Sequence, residues 1–234
     1  MVVECIGLPG SGKTFLIREL EKELTAAGFR AVNVSQRRME RLSWKLAAKI
    51  FRAAVPFDRS MGRLCRRLKE ILEKEKPLDS RFGIYENTEY SVRSAAVFVK
   101  LYRKMMQSPK VYLFDEGLVH TLVKLCADFG ITDGIFLEMA DETEKRLSGE
   151  RVVIHNEIAV ADCAASIAKR DRHICAFDEL TGDRLDAILR EYTRLNRAYA
   201  GRYNTVCVSR KEEIRTRTKR ILNRINEVRH NESR

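Results

Sequence analysis

The feature that most constrains the fold is the run Gly7-Leu8-Pro9-Gly10-Ser11-Gly12-Lys13-Thr14, which lies close to the start of the chain. It matches the phosphate-binding pattern G-x-x-x-x-G-K-[ST] at every required position. The apolar run Val2–Ile6 predicts a buried strand before it, and leucines spaced four residues apart predict a helix over residues 13–27 after it. A strand that ends in such a loop and continues as a helix is the setting in which this pattern binds phosphate.

The residue types of this phosphate-binding loop (the P-loop, or Walker A motif) explain its chemistry. Glycines let the backbone fold around phosphate oxygens and turn several N–H groups inward. The Lys13 ammonium is placed to reach the β- and γ-phosphates, and the Thr14 hydroxyl to ligate Mg²⁺. Because Lys13 serves the ligand, we expect its charge to have little to bind in the ligand-free protein. The residues predicted to contact the nucleotide are Gly7, Pro9, Gly10, Ser11, Gly12, Lys13 and Thr14.

A second acidic element follows another apolar run. Val111-Tyr112-Leu113-Phe114 predicts a buried strand, and Asp115 comes directly after it. The carboxyl ends of parallel strands face the ligand crevice, so we expect Asp115 near the Mg²⁺, bound directly or through water. Glu116 comes next and is a candidate base for activating an acceptor or a water molecule. The alternative is that Asp115 only caps the following helix.

Short apolar runs alternate with helical patterns along the rest of the chain. Further strands are predicted at Ala31–Val34, Val152–His155 and Thr205–Val208. Besides the first helix, helices are predicted over residues 38–55, 61–75, 84–106, 117–129, 134–147, 159–169, 183–200 and 211–229, with a charged loop over 170–182.

This alternation predicts an α/β fold, a Rossmann-like P-loop NTPase with three α/β/α layers and about five parallel strands. The first strand is expected to be central and to neighbour the third. The stretch over residues 35–110 is too long for a simple crossover, so it is interpreted as a helical insertion between strands 2 and 3. The 234 residues, without a Gly/Ser-rich linker, fit a single domain over residues 1–234.

The net charge of +11 is concentrated in two segments. Residues 37–76 contain thirteen Lys or Arg against five Asp or Glu, and residues 210–224 contain seven against two. Polyphosphate ligands, nucleic acid and anionic membrane surfaces are all partners that such a charge attracts. No apolar run approaches the roughly 20 residues of a membrane-spanning helix, so no membrane span is predicted.

The start of the chain and its cysteines favour a cytoplasmic location. Glu4 interrupts the first apolar run and the P-loop follows at once, so no signal peptide is predicted. The six cysteines include no C-x-x-C pair, which leaves a zinc site with little support. Cys5 and Cys207 lie in apolar strand-like runs and are expected to be buried, reduced thiols.

With these motifs the chain resembles the P-loop kinases of nucleosides and nucleotides, and especially their thymidylate kinase-like branch. The resemblance rests on the P-loop, the Phe114-Asp115-Glu116-Gly117 run and Ser166-Ile167-Ala168-Lys169-Arg170-Asp171-Arg172-His173. It implies ATP or GTP with Mg²⁺ as cofactors and a lid over residues 169–182. The lid residues expected to close over the donor phosphates are Lys169, Arg170 and Arg172. The family commonly has another arginine one turn before Lys169, where this chain has Ala165 and Ser166.

The resemblance also makes residues 35–110 the expected acceptor-binding region. An anionic acceptor would bind arginines, and the aromatic side chains of the region would line an apolar pocket or simply pack helices together. The candidate arginines are Arg37, Arg38, Arg81 and Arg93, and the aromatic candidates are Trp44, Phe51 and Phe57.

Three functions are compatible with these residues. The first is a kinase that transfers the γ-phosphoryl group to a small-molecule acceptor, and Lys13, Asp115, Glu116, Arg170 and Arg172 are its candidate catalytic residues. The second is a regulatory or nucleic-acid-associated NTPase. It is favoured by the basic segment over residues 37–76 and by the position of Glu116 directly after Asp115. The third, a module that binds nucleotide without turnover, is disfavoured because the phosphate and Mg²⁺ ligands are present. The oligomeric state stays open, with a homodimer as one alternative.

Overall fold

A computed structural model of the chain describes residues 1–34, 58–75, 80–83, 88–169 and 179–232. Its centre is a five-stranded parallel sheet in the order β2-β3-β1-β4-β5. The strands are β1 (Val2–Ile6), β2 (Ala31–Asn33), β3 (Val111–Phe114), β4 (Arg151–Glu157) and β5 (Thr205–Ser209). The predicted fold class is therefore confirmed, with β1 in the middle and β3 beside it.

The pairing register explains where the site lies. Val2 pairs with Tyr112 of β3 and with Arg151 of β4, and the strands run in the same direction. The carboxyl ends of β1, β3 and β4 consequently reach the same edge of the sheet. The P-loop begins at that edge because β1 ends at Ile6.

Helices cover both faces of the sheet. One face packs against α1 and α8, and the other against α3, α4 and α7, with α2, α5 and α6 beyond them. The helices of the described residues are α1 (Lys13–Ala26), α2 (Arg59–Glu73), α3 (Thr88–Met106), α4 (Leu118–Asp128), α5 (Asp133–Glu144), α6 (Val160–Ala168), α7 (Gly182–Arg202) and α8 (Ile214–Glu232). None of these described helices combines the length and apolar composition needed to cross a bilayer.

The helical insertion between strands 2 and 3 is present as α2 and α3. Asp58 caps α2 by accepting hydrogen bonds from the backbone N–H groups of Ser60 and Met61, as expected for an aspartate at this position. It also pairs with Lys100 of α3, which fastens the two helices at one end. The predicted helix over 38–55 lies outside the described residues.

Two details differ from the sequence predictions. Cys207 is exposed rather than buried, because β5 is the edge strand and this side chain lies outside the packed core. The predicted charged loop over 170–182 ends earlier than expected, since α7 already begins at Gly182. Residues 170–178 of that loop lie outside the described part of the chain.

A buried polar network lies under the amino terminus of α4. Glu4 of β1 is fully buried, and its carboxylate accepts a hydrogen bond from the backbone N–H of Val119 at 2.7 Å. It also accepts one from the Tyr102 hydroxyl at 3.0 Å and pairs with the Arg151 guanidinium at 3.0 Å. A negative charge at a helix amino terminus is stabilised by the free N–H groups there. Glu4 thus fixes α4 to the sheet.

Candidate active site

The P-loop has a backbone that favours glycine at three positions. Gly7, Gly10 and Gly12 have φ angles of 138°, 90° and 87°, which lie in the region that other residues avoid. At Gly7 space is also limiting, because a Cβ there would lie 2.5 Å from the backbone oxygen of Asn156. The side-chain amide of Asn156 donates to the Ser11 carbonyl at 2.9 Å, so the end of β4 supports the loop.

Lys13 is hydrogen-bonded to the P-loop itself. Its ammonium donates to the carbonyl oxygens of Leu8 at 2.9 Å and Gly7 at 3.2 Å, and the residue is buried. The expectation that its charge has little to bind without ligand is therefore wrong. The loop carbonyls act as a substitute partner, because an unpaired buried ammonium is strongly unfavourable.

Thr14 and Asp115 come together from α1 and from the end of β3. The Thr14 hydroxyl donates to Asp115 Oδ2 at 2.6 Å. A hydroxyl and a carboxylate are the hard oxygen ligands that Mg²⁺ prefers, and both groups lie beside a loop built for phosphate. These two residues are of the type that would hold a Mg²⁺ ion bound together with a phosphate chain.

Glu116 and His120 form the outer edge of this site. The Glu116 side chain is 64% exposed, and its carboxylate lies 3.7 Å from His120 Nε2. Burial lowers the pKa of His120 to about 4, with the positive charge of Lys13 acting in the same direction and the Glu116 carboxylate opposing it. His120 is therefore a neutral imidazole at neutral pH. Sequence analysis did not single out His120, because a single histidine on a helix is more often an ordinary packing residue.

The P-loop is also held from the side of α6 and β5. The Cys163 thiol of α6 lies 2.7 Å from the Pro9 carbonyl. Arg210, just after β5, donates from Nη1 to the Gly10 carbonyl at 3.1 Å and to the Ser166 hydroxyl at 3.0 Å. Sequence analysis singled out neither contact. Ser166 stands where the resemblance leads one to expect an arginine, and here it accepts a hydrogen bond from one.

A groove of about 650 Å³ opens beside the P-loop, between the carboxyl ends of β4 and β5 and the helices α6 and α7. Its size suits a small-molecule ligand. Three buried polar atoms on its wall have no hydrogen-bond partner within the described part of the chain. They are His155 Nδ1, Asn156 Oδ1 and Asn196 Oδ1. Lys169, Arg197 and Arg210 add positive charge around the groove.

The remaining predicted site residues fall into two groups. Lys169 caps the end of α6 and lines the groove. Of the acceptor candidates, Arg93 pairs with Glu89 on its own helix, and the Arg81 guanidinium packs over Gly130. The others lie outside the described residues: Arg37, Arg38, Trp44, Phe51, Phe57, Arg170 and Arg172.

Comparison with known proteins gives a structural likeness alone. No protein-family model matches the chain, and no curated protein sequence matches it. A solved structure of deoxyadenosine kinase from M. mycoides with bound dATP is similar over 97% of this chain and 100% of that one, with a TM-score of 0.50 and 16% identity. The same enzyme with dCMP and dCDP bound covers the same shares with a TM-score of 0.49 and 14% identity. The chain thus has the α/β fold of a P-loop nucleoside kinase.

Proposed function

We propose that this chain is a kinase that binds a nucleoside triphosphate with Mg²⁺ at Gly7–Thr14 and transfers its γ-phosphoryl group to a small-molecule acceptor. The observation that carries this proposal is the 2.6 Å contact between the Thr14 hydroxyl and the Asp115 carboxylate. It joins a residue of the P-loop to the end of the neighbouring strand, and a magnesium-bound phosphate chain needs oxygen ligands at this position.

The described residues have distinct roles in such a transfer. Lys13 would leave the carbonyls of Gly7 and Leu8 and bind phosphate oxygens, where a cation offsets charge that spreads in the transition state. Bound Mg²⁺ would be held by Thr14 and Asp115 and would neutralise the phosphate chain. Arg170 and Arg172 are proposed to close over the donor phosphates, as guanidinium groups can bind them bidentately.

The nucleoside part of the donor is proposed to occupy the groove beside the P-loop. The groove begins at Leu8, so a nucleotide with its phosphates on the loop can extend into it. The residues lining it include Asn156 and Asn196, whose buried side-chain oxygens have no hydrogen-bond partner among the described residues. Buried polar atoms of this kind favour a ligand or a water molecule that completes their hydrogen bonds.

The acceptor is proposed to be a nucleoside or a nucleotide, bound by residues 35–110. In the folded chain α2 and α3 of this segment cover the same face of the sheet as α4, whose first turn lies beside Asp115. Glu116 is exposed at that position and is proposed as the base that accepts the hydroxyl proton. One solved protein of similar fold is a deoxyadenosine kinase, so deoxynucleosides are the first acceptors to test.

The test is ADP release from MgATP with a panel of nucleosides and nucleotides, for the wild type and two variants. Asp115→Asn keeps the size of the side chain but removes its charge, and we expect roughly 100-fold lower turnover. Asp186→Asn is the matched control, because this carboxylate pairs with Arg190 on the surface of α7. Equal turnover in wild type and Asp115→Asn would contradict the proposal.

A second candidate function is an NTPase that acts on nucleic acid. On α2 the exposed side chains of Arg59, Arg63 and Arg66 lie on one stripe and make no hydrogen bond or ion pair with the described residues. Such a stripe suits a phosphate backbone. If this function is correct, DNA or RNA rather than a nucleoside will stimulate ATP consumption, and the stimulation will fall steeply with salt.

A further inference from the structure

Arg210 occupies an unusual position between the P-loop and the groove. It follows the edge strand β5 and lies two hundred residues along the chain from Gly10, whose carbonyl it contacts. The same nitrogen, Nη1, also donates to the hydroxyl of Ser166 in the last turn of α6. One guanidinium thus joins three separate segments: the P-loop, the helix before residues 170–178, and the turn after β5.

The other nitrogens of this guanidinium make no contact of this kind with the described residues. A guanidinium carries five N–H donors, and both recorded side-chain hydrogen bonds of Arg210 leave from Nη1. Within the described part of the chain, Nε and Nη2 make no hydrogen bond and Arg210 forms no ion pair. These two nitrogens form the edge of the fork that binds a carboxylate or phosphate bidentately. The residue is exposed and lines the groove, so that edge is open to a ligand.

The surrounding charges favour an anion. Arg217 of α8 is buried, and its Nε has no hydrogen-bond partner among the described residues. Burial lowers the pKa of Arg217, and the Glu212 carboxylate, which raises this pKa, is already paired with Arg220. The positive charge of Arg210 acts in the same direction as burial, so the two guanidinium groups repel each other. A bound anion beside Arg210 would reduce their repulsion.

We propose that Arg210 is a nucleotide-binding residue with two functions. Its Nη1 holds the P-loop against α6, and its Nε and Nη2 bind a phosphate oxygen of the nucleotide. This inference rests on the proposed function, because it needs a nucleotide on the P-loop. The position of Arg210 supports it, because the residue contacts Gly10 of the P-loop and also lines the groove in which the nucleoside is proposed to bind. The chain would thereby gain a donor-site cation from the turn after β5.

The test is the affinity for MgATP and MgADP, measured by calorimetry at several salt concentrations. Arg210→Ala is expected to weaken both ligands about 10- to 100-fold, because a bidentate charge-assisted contact is lost. Arg210→Lys should recover only part of this loss, since an ammonium cannot hold the loop and the ligand with one planar fork. The control Arg215→Ala changes the net charge equally, and its exposed side chain makes no hydrogen bond with the described residues.

The salt dependence separates binding from a purely structural role. If Arg210 contacts phosphate, its alanine variant will show a shallower loss of affinity with salt than Arg215→Ala, because one screened ion pair is missing. An unchanged salt dependence with weaker binding would mean that Arg210 only braces the loop, and unchanged affinity would remove it from the site. Both results overturn the inference while the wild type still binds nucleotide. Absence of MgATP and MgGTP binding by the wild type would overturn the proposed function as well.

Discussion

Two carboxylates on neighbouring central strands have opposite environments. Glu4, in the middle of β1, is fully buried and receives Val119 N–H, the Tyr102 hydroxyl and the Arg151 guanidinium. Asp115 follows the last residue of β3 and contacts the Thr14 hydroxyl at the exposed edge of the sheet. Glu4 pairs with Phe114, the residue before Asp115, so the two carboxylates lie one residue apart in the register of β1 and β3. One of them stabilises the fold, and the other contacts the P-loop at the end of the sheet.

The difference shows how the site is supported. The buried network continues from Arg151 to Glu144, which also accepts a hydrogen bond from Tyr199 of α7 at 2.8 Å. It fixes β1, β4, α4 and α7 relative to one another below the P-loop. The polar groups of the network bond to one another in the interior, whereas Lys13, Thr14 and Asp115 lie at the proposed donor site above it. Substitutions in the two regions should therefore affect different measurements.

The largest loss of stability is expected from Glu4→Ala. This change leaves the buried Arg151 without one of its two carboxylates and frees the first N–H groups of α4. Breaking a buried ion pair on one side typically lowers the free energy of unfolding by about 3–5 kcal/mol. Urea denaturation measures it, with Asp186→Ala as the control, because that carboxylate forms an exposed pair with Arg190. A loss below about 1 kcal/mol would show that the network does not hold the fold.

Lys13→Ala should act mainly on turnover. We expect a loss on the order of 10²- to 10³-fold in kcat, because a preorganised cation at the transferring phosphoryl group is removed. The contacts to Gly7 and Leu8 also disappear, so the free energy of unfolding should fall by about 1 kcal/mol. Lys22→Ala, an exposed lysine on the same helix, provides the control. Unchanged ATP turnover would exclude the P-loop as the donor site.

The fold and the contact between the P-loop and Asp115 were predictable because they follow from local pattern. The P-loop motif, the apolar strand runs and the leucine spacing each depend on neighbouring residues, and the strands they predicted form the sheet. Asp115 was predictable for the same reason, since it follows the strand directly. Hydrophobic periodicity predicted helices within residues 35–110. No sequence rule, however, connects an arginine of this segment with a particular acceptor.

The contacts missed by sequence analysis all join distant parts of the chain. Arg210 contacts Gly10, Asn156 contacts Ser11, and Glu4 contacts Arg151 from 147 residues away. In the sequence, Glu4 served only as evidence against a signal peptide, although in the structure it anchors α4 to the sheet. Such pairs depend on the order of strands in the sheet, so periodicity and motifs cannot find them.

A smaller loss of stability is expected when the pH is lowered, and it comes from His120. Burial lowers the pKa of His120 to about 4, whereas in the unfolded chain it is near 6.5. Between these values the unfolded chain binds the extra proton, so the free energy of unfolding should fall as pH drops from 6.5 towards 4, by up to about 3 kcal/mol. His120→Gln should flatten this part of the pH profile, and His230→Gln, on the exposed end of α8, should not. Because burial also lowers the pKa of His155, some slope will remain.

The smallest effect on the fold is expected from Glu116→Gln, which separates the two candidate functions. Its side chain is 64% exposed and its neighbour His120 is neutral at pH 7, so the free energy of unfolding should change by less than about 0.5 kcal/mol. Turnover should respond more. If Glu116 accepts the proton of the acceptor hydroxyl, acceptor-dependent ADP release falls about 100-fold while slow basal hydrolysis stays within about threefold. If Glu116 instead activates water, basal hydrolysis falls by the larger factor. Loss of neither activity would assign the exposed carboxylate to the surface and leave Asp115 as the acidic residue of the site.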